Sequence, residues 1–169
     1  MFYSQLEPGL FNGNTQQDLK PIEEAELSVA SAATLQNLTQ IIERQLPASA
    51  TIVDSANNDM KLMVELVAFS KAGPTYADFE FAKNFGKSML TLGMGSSEYN
   101  ILADFNVTYR LSDESGKIIE KSYRIEDVVD HERGKFESMQ SVHDYAAQLL
   151  EKHLIISLND FFLQASAQG

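Results

Sequence analysis

The stretch from residue 99 to residue 111 constrains the fold more than any other part of the chain. Tyr99, Ile101, Ala103, Phe105, Val107, Tyr109 and Leu111 alternate with Asn100, Asp104, Asn106, Thr108 and Arg110, and only Leu102 interrupts the polar set. Successive side chains of a strand point to opposite faces, so this period of two predicts a long strand with one face in a core and the other in water. Residues 112–116, SDESG, supply turn chemistry with Gly116 at its end. KIIEKSYRIEDV then returns with Ile119, Tyr123 and Ile125 on one face and Glu120, Ser122, Arg124 and Glu126 on the other. The two runs read as an antiparallel hairpin.

One apolar sheet face needs a second layer to cover it. Val29, Ala32, Ala33, Leu35, Leu38, Ile41, Ile42 and Leu46 recur at three and four, which predicts a helix from Ser28 that Pro47 ends. Met139, Val142, Ala146, Leu149, Leu150, His153, Leu154, Leu158, Phe161 and Phe162 make a second, longer stripe, capped by Ser138 or by Ser141 with Asp144. About 25 residues of helix reach roughly 38 Å, enough to span a sheet. Thr51 to Asp54 suggests a brief strand. DMKLMVELVAFS, residues 59–70, is apolar on both faces and suggests a central strand covered on both sides. VDHERGKFES, after the hairpin, reads as a charged connection. The fold expected is α+β: a two-layer sandwich, its mostly antiparallel sheet of about three to four strands covered on one face by an N-terminal and a long C-terminal helix.

A chain of 169 residues suits one core without disulfides, and it contains no Cys to make any. Residues 1–27 hold Pro8, Gly9, Gly13, Pro21 and the acidic Glu23, Glu24 and Glu26 but little apolar periodicity, so they read as an extended arm or tether. Residues 28–169 form the single α+β domain. With 24 acidic against 13 basic residues the formal charge is −11, which disfavours nucleic acid and anionic lipid surfaces as partners. No run approaches the 18 or more apolar residues of a membrane helix, and the N-terminus lacks the basic start and apolar run of a signal peptide. Its loose, polar beginning carries the expectation that a targeting segment precedes residue 2, with Met1 standing where a lipidated Cys would be.

FGKSMLTLGMGSS, residues 85–97, invites a nucleotide-binding reading and fails it. A phosphate loop needs a glycine five positions before Gly86, where this chain has Phe81, and Gly93 and Gly95 lack the third glycine of a dinucleotide fingerprint, with Glu98 in its place. Gly93 and Gly95 are expected instead as structural turns leading into the strand. The stretch from Lys71 to Glu98, about 28 residues, exceeds an ordinary connection. Within it Phe85, Met89, Leu90, Leu92 and Met94 form the candidate contact surface for a protein or lipid partner.

The three histidines suggest no metal site: His143 and His153 lie ten positions apart on one helix, and Asp130-His131-Glu132 reads as a solvated turn. No Gly-x-Ser-x-Gly elbow is present, and neither catalytic residues nor a cofactor are expected. Asn37-Leu38-Thr39 and Asn106-Val107-Thr108 match the glycosylation triplet by chance.

LGMGSSEYNILADFNVTYRLSDESGKIIEKSYRIE, residues 92–126, resembles small bacterial envelope lipoprotein domains. In these a Gly-x-Gly-Ser segment, here Gly93, Gly95 and Ser96, precedes a long alternating strand, and a turn like that of Asp113, Ser115, Gly116 and Lys117 leads to the next. The resemblance implies a non-catalytic, membrane-tethered domain in the periplasm, anchored to the outer membrane, that binds a protein or lipid partner in envelope assembly or transport. Two other readings compete. An acidic inhibitor or immunity-type protein would bind a basic partner through charge, and a small hydrolase would need a pocket lined by His131, His143 or His153 with carboxylates.

Overall fold

The computed structural model describes residues 1–8, 14–53, 60–79, 97–134 and 136–168. In chain order its strands are β1 (Phe2–Ser4), β2 (Leu6–Pro8), β3 (Asn14–Gln16), β4 (Lys20–Pro21), β5 (Met60–Ala68), β6 (Thr75–Phe79), β7 (Ser97–Asp113) and β8 (Ile118–Arg133). Among the described residues the helices are α1 (Val29–Gln36), α2 (Leu38–Gln45) and the C-terminal α3 (Met139–Gln168), with a 3-10 turn at Ile22–Glu24.

The alternating segment is the spine of the sheet. Along one side of β7 runs β8, antiparallel, in an unbroken register from Ser97 opposite Arg133 to Ser112 opposite Ile118. Its other side is shared, β6 pairing with Tyr99 to Ala103 and β5 with Phe105 to Asp113. β1 lies parallel to β5 and antiparallel to β4, and β2 with β3 makes a separate small hairpin. The architecture is mixed α+β, but among the described residues the main sheet has six strands rather than three or four, and the helices number three rather than two.

The extra strands have a physical reason. β1 and β4 hold three and two residues, too short for any period to show, and they are strands only because β5 offers β1 an edge. Phe2–Ser4 and Lys20–Pro21, within the stretch 1–27 read from the sequence as an arm, thus enter the sheet, with Tyr3 at 0% exposure. Thr51 to Val53 are not a strand, and Asp54 lies outside the described residues. β5 is central, as its composition suggests, but only its Val64, Leu66 and Ala68 face is buried; Met63, Glu65 and Val67 are half-buried on the other.

The first helix is divided at Asn37, whose backbone leaves helical geometry and whose Nδ2 donates to the carbonyl of Ala33 at 2.8 Å. Asn competes for backbone carbonyls in this way, which is why it favours caps over helix interiors. Ser28 caps α1 by accepting the Ser31 amide at 3.3 Å.

The core lies between the sheet and the helices. From β7 it takes Ile101, Phe105, Val107 and Tyr109, and from α3 Val142, Leu150, Leu154, Leu158 and Phe161, each 0–1% exposed. Burying each large apolar side chain stabilises the fold by about 1.5–3 kcal/mol relative to leaving it in water. The opposite face of the sheet is open and polar, as the alternation predicts: Arg110 reaches Glu120 at 2.5 Å, and Arg124 holds Glu126 and lies 4.5 Å from the Phe69 ring. These exposed pairs organise the face and add little stability.

The hairpin turn has the expected chemistry. Asp113 accepts from Ser115 Oγ at 2.7 Å and from the Lys117 amide at 2.9 Å, while Gly116 takes φ +83, a region side chains avoid. The second strand outruns its expected end. Val129 to Arg133, read as a charged connection, continue the ladder opposite Ser97 to Ile101, so Asp130, His131 and Glu132 belong to a strand and not to a turn. Polar residues can occupy strand positions there because both sides of that stretch are half open to water.

Candidate functional site

Helical periodicity in residues 29–46 assigns their apolar stripe to a core, but only part of that stripe is packed. Ala30, Leu35, Leu38, Ile41 and Ile42 are 3–8% exposed, yet Leu35, Leu38 and Ile42 also border a half-open cavity of about 1270 Å³ at one end of the sandwich. Three kinds of element enclose it. Its roof is α1, α2 and the following residues Leu46 to Val53; its floor is Leu62 and Val64 of β5, Leu111 of β7 and Ile119 of β8; the end of α3 closes one side through Phe162 and Ala165.

The helix is divided at Asn37 beside this space. Both short segments pack against α3. The rim is charge-balanced, with Lys61 and Lys117 among the lining residues beside Glu23 and Asp113. Hydrogen bonding from Ser115 holds the Asp113 carboxyl below the usual carboxylate range, so it stays ionised as a fixed turn anchor. Ile52 and Val53, 41% and 52% exposed, present aliphatic side chains at the mouth. Small-molecule sites usually hold about 300–1,000 Å³, so this one exceeds the size of a metabolite pocket. Its aliphatic lining residues offer burial of hydrocarbon.

Of the residues singled out from the sequence, Phe85, Met89, Leu90, Leu92 and Met94, with Gly93 and Gly95, lie outside the described residues. Gly116 sits in the hairpin turn, whose Asp113 and Lys117 line the cavity mouth. The cavity itself escaped sequence reading. The one signal was the pair Ile52 and Val53 in a segment with no periodicity, where aliphatic residues have no core to enter.

The histidines serve separate partners. His153 Nε2 lies 2.9 Å from Asp127 Oδ2 on β8, and the His131 ring stacks on Tyr145 with centroids 3.9 Å apart. Hydrogen bonding to His153, and then to Lys152, holds the Asp127 carboxyl below its ordinary range. Lower on the same helix, Asp160 receives Lys121 Nζ at 2.7 Å and Tyr123 Oη at 2.6 Å, which depresses its carboxyl in turn and, with desolvation, raises the Tyr123 phenol. These contacts fasten α3 to β8. Among the described residues no three His, Asp or Glu side chains converge on a point where a metal could sit.

No family model matches the chain, and no curated protein does. Among solved structures it is similar to the crystal structure of rare lipoprotein B from Shewanella oneidensis, at 17% identity and a TM-score of 0.37, over 85% of this chain and 95% of that one.

Proposed function

We infer that this protein is a non-catalytic accessory domain of the bacterial cell envelope that holds lipid hydrocarbon in the cavity between α2 and the sheet. The observation that carries the binding reading is the cavity itself: about 1270 Å³, bordered by Leu38, Ile42, Leu62 and Ile119, and open where Ile52 and Val53 stand half exposed. An aliphatic-lined space of that size holds apolar surface that an acyl chain would cover, at roughly 25 cal/mol per Å². Both signs of charge at the rim suit a zwitterionic or neutral headgroup better than a highly charged one.

The envelope setting, a lipid tether before residue 2 and attachment to the outer membrane rest on the resemblance of residues 92–126 to envelope lipoprotein domains. An accessory role fits a cavity that can shelter a chain.

A stearate carrying an anthroyl fluorophore tests the reading. Its emission should rise saturably on titration with the protein, with one site per chain and competition by unlabelled palmitate. Ile52→Asp with Val53→Asp puts two carboxylates at the mouth without disturbing buried residues, and should weaken binding by about tenfold or more, since each tenfold is only about 1.4 kcal/mol. Emission that never saturates, or that is indifferent to both substitutions, would sink the proposal.

A further inference from the structure

The apolar floor of the cavity is a narrow lane. Leu62 of β5 stands opposite Leu111 of β7, and Leu111 opposite Ile119 of β8, so the three lie side by side across the sheet on its helix-facing side. Two residues further into the sheet, the same face carries Val64, Tyr109 and Lys121. That row is packed: Val64 is buried, Tyr109 Oη lies 2.8 Å from Ser157 Oγ of α3, and Lys121 Nζ reaches Asp160 at 2.7 Å. Two residues further out come Met60 and, opposite it, Asp113, the ionised turn anchor. Hydrocarbon on this floor has one apolar direction open to it, across the strands, between packed side chains and a carboxylate.

Both ends of the lane are bounded. Because Lys121 meets Asp160, the residues that follow on α3, Phe162 and Ala165, fall at the Ile119 end and close it. Past β5 the lane continues over Met1 and Ile22, which also line the cavity, and then meets the charge of Glu23. β1 runs parallel to β5 with Phe2 opposite Glu65, so Met1 lies beside Val64, and the Ile22 amide donates to the Met1 carbonyl at 3.1 Å. Strands lie about 4.8 Å apart, and one face of a strand recurs about every 6.8 Å. From Ile119 to Leu62 is therefore about 10 Å, and the diagonal step to Met1 adds about 8 Å. An extended hydrocarbon advances about 1.25 Å per carbon, from bonds of about 1.5 Å at near-tetrahedral angles, so about 18 Å holds about 14 carbons.

We propose that this lane sets the chain length the site prefers: a saturated acyl chain of roughly 12 to 16 carbons lies extended across β8, β7 and β5, and further carbons leave the lane for water. The inference rests on the hydrocarbon-binding reading and adds to it a length limit, an orientation across the strands and a residue, Ile119, that fixes one end. Each methylene laid on the lane loses its water, whereas a methylene past the lane keeps it and gains nothing.

The test is displacement of the anthroyl stearate probe from the full chain by saturated fatty acids from octanoate to icosanoate, each below its aggregation concentration. Affinity should rise by about fourfold per added methylene and level off between laurate and palmitate. Ile119→Asn takes the apolar floor off β8, one strand spacing, and should move that break about four carbons shorter. Ile118→Asn, on the opposite face of the sheet at a 58% exposed position, should leave the break where it is. Affinity that climbs without a break through icosanoate overturns the lane and needs no variant to do so. A break that ignores Ile119→Asn, or that moves equally with Ile118→Asn, overturns it too, and all three results leave the cavity reading standing. No displacement at any length sinks the cavity reading and the lane with it.

Discussion

The Tyr109 hydroxyl offers a quantitative test of how α3 is fixed to the sheet. Tyr109 is fully buried, its ring centroid 5.4 Å from that of Phe161, and its oxygen lies 2.8 Å from Ser157 Oγ. Ser157 donates its own proton to the His153 carbonyl at 2.8 Å, so the phenol donates and the serine accepts. Burial pushes the Tyr109 phenol far above its ordinary value, which keeps that donor in place at every working pH. The two single substitutions are therefore unequal. Tyr109→Phe removes one hydrogen bond and leaves Ser157 satisfied by the helix backbone, at a cost of about 0.5–1.5 kcal/mol. Ser157→Ala instead strands a buried phenol proton, at about 1–3 kcal/mol. In the double variant no donor is left unpaired, so its cost should fall short of the sum by about 1 kcal/mol, beyond the roughly 0.3–0.5 kcal/mol scatter of independent sites. Urea unfolding of the four proteins, with unchanged slopes, gives all three differences. Strict additivity, or a Ser157→Ala variant more stable than Tyr109→Phe, would refute the assignment of donor and acceptor.

Three further outcomes follow from the geometry. Phe105→Ala, in the middle of β7 at 0% exposure, should cost about 3–5 kcal/mol in urea unfolding, whereas Thr108→Ala on the open face should stay within about 0.5 kcal/mol of wild type. Gly73→Ala should destabilise more than Gly116→Ala: both have positive φ, but a Cβ on Gly73 would lie 3.0 Å from the hydroxyls of Ser28 and Ser31, while Gly116 has nothing within 4 Å and should lose only about 1–2 kcal/mol. Asp127 and Asp160 both titrate below the ordinary carboxylate range in the fold, so their contribution is present above about pH 4 and is lost as the pH falls through their lowered values. The stability gap between wild type and Asp127→Asn with Asp160→Asn should therefore close on acidification toward about pH 2, and a gap that widens would contradict the assignment.

The elements visible in the sequence were those whose period repeats often enough to outweigh local accident. β7 alternates over its whole length and α3 keeps its stripe from Val142 to Phe162, so both stand out, as does the turn of Asp113 and Gly116. β1 was hidden because three residues have no period and become a strand only through a distant neighbour, Glu65 to Val67. The last residues of β8 were hidden because a strand at a half-open sheet end can carry Asp, His and Glu, which elsewhere mark a turn. The cavity was hidden for a different reason. Leu38 and Ile42 have the spacing of core residues, and spacing reports which face turns inward, not whether that face meets packed atoms or an open space.

The central claim is that the space under α2 receives hydrocarbon. It is tested most directly by methyl NMR of the full chain titrated with palmitate. The account predicts shifts confined to methyls that line the space, among them Leu35, Leu38, Ile42, Ile52, Val53, Leu62, Val64, Leu111 and Ile119, with the methyls of Val142, Leu150 and Leu154 unmoved. Shifts that ignore this boundary, or no shifts at saturating palmitate, would contradict it.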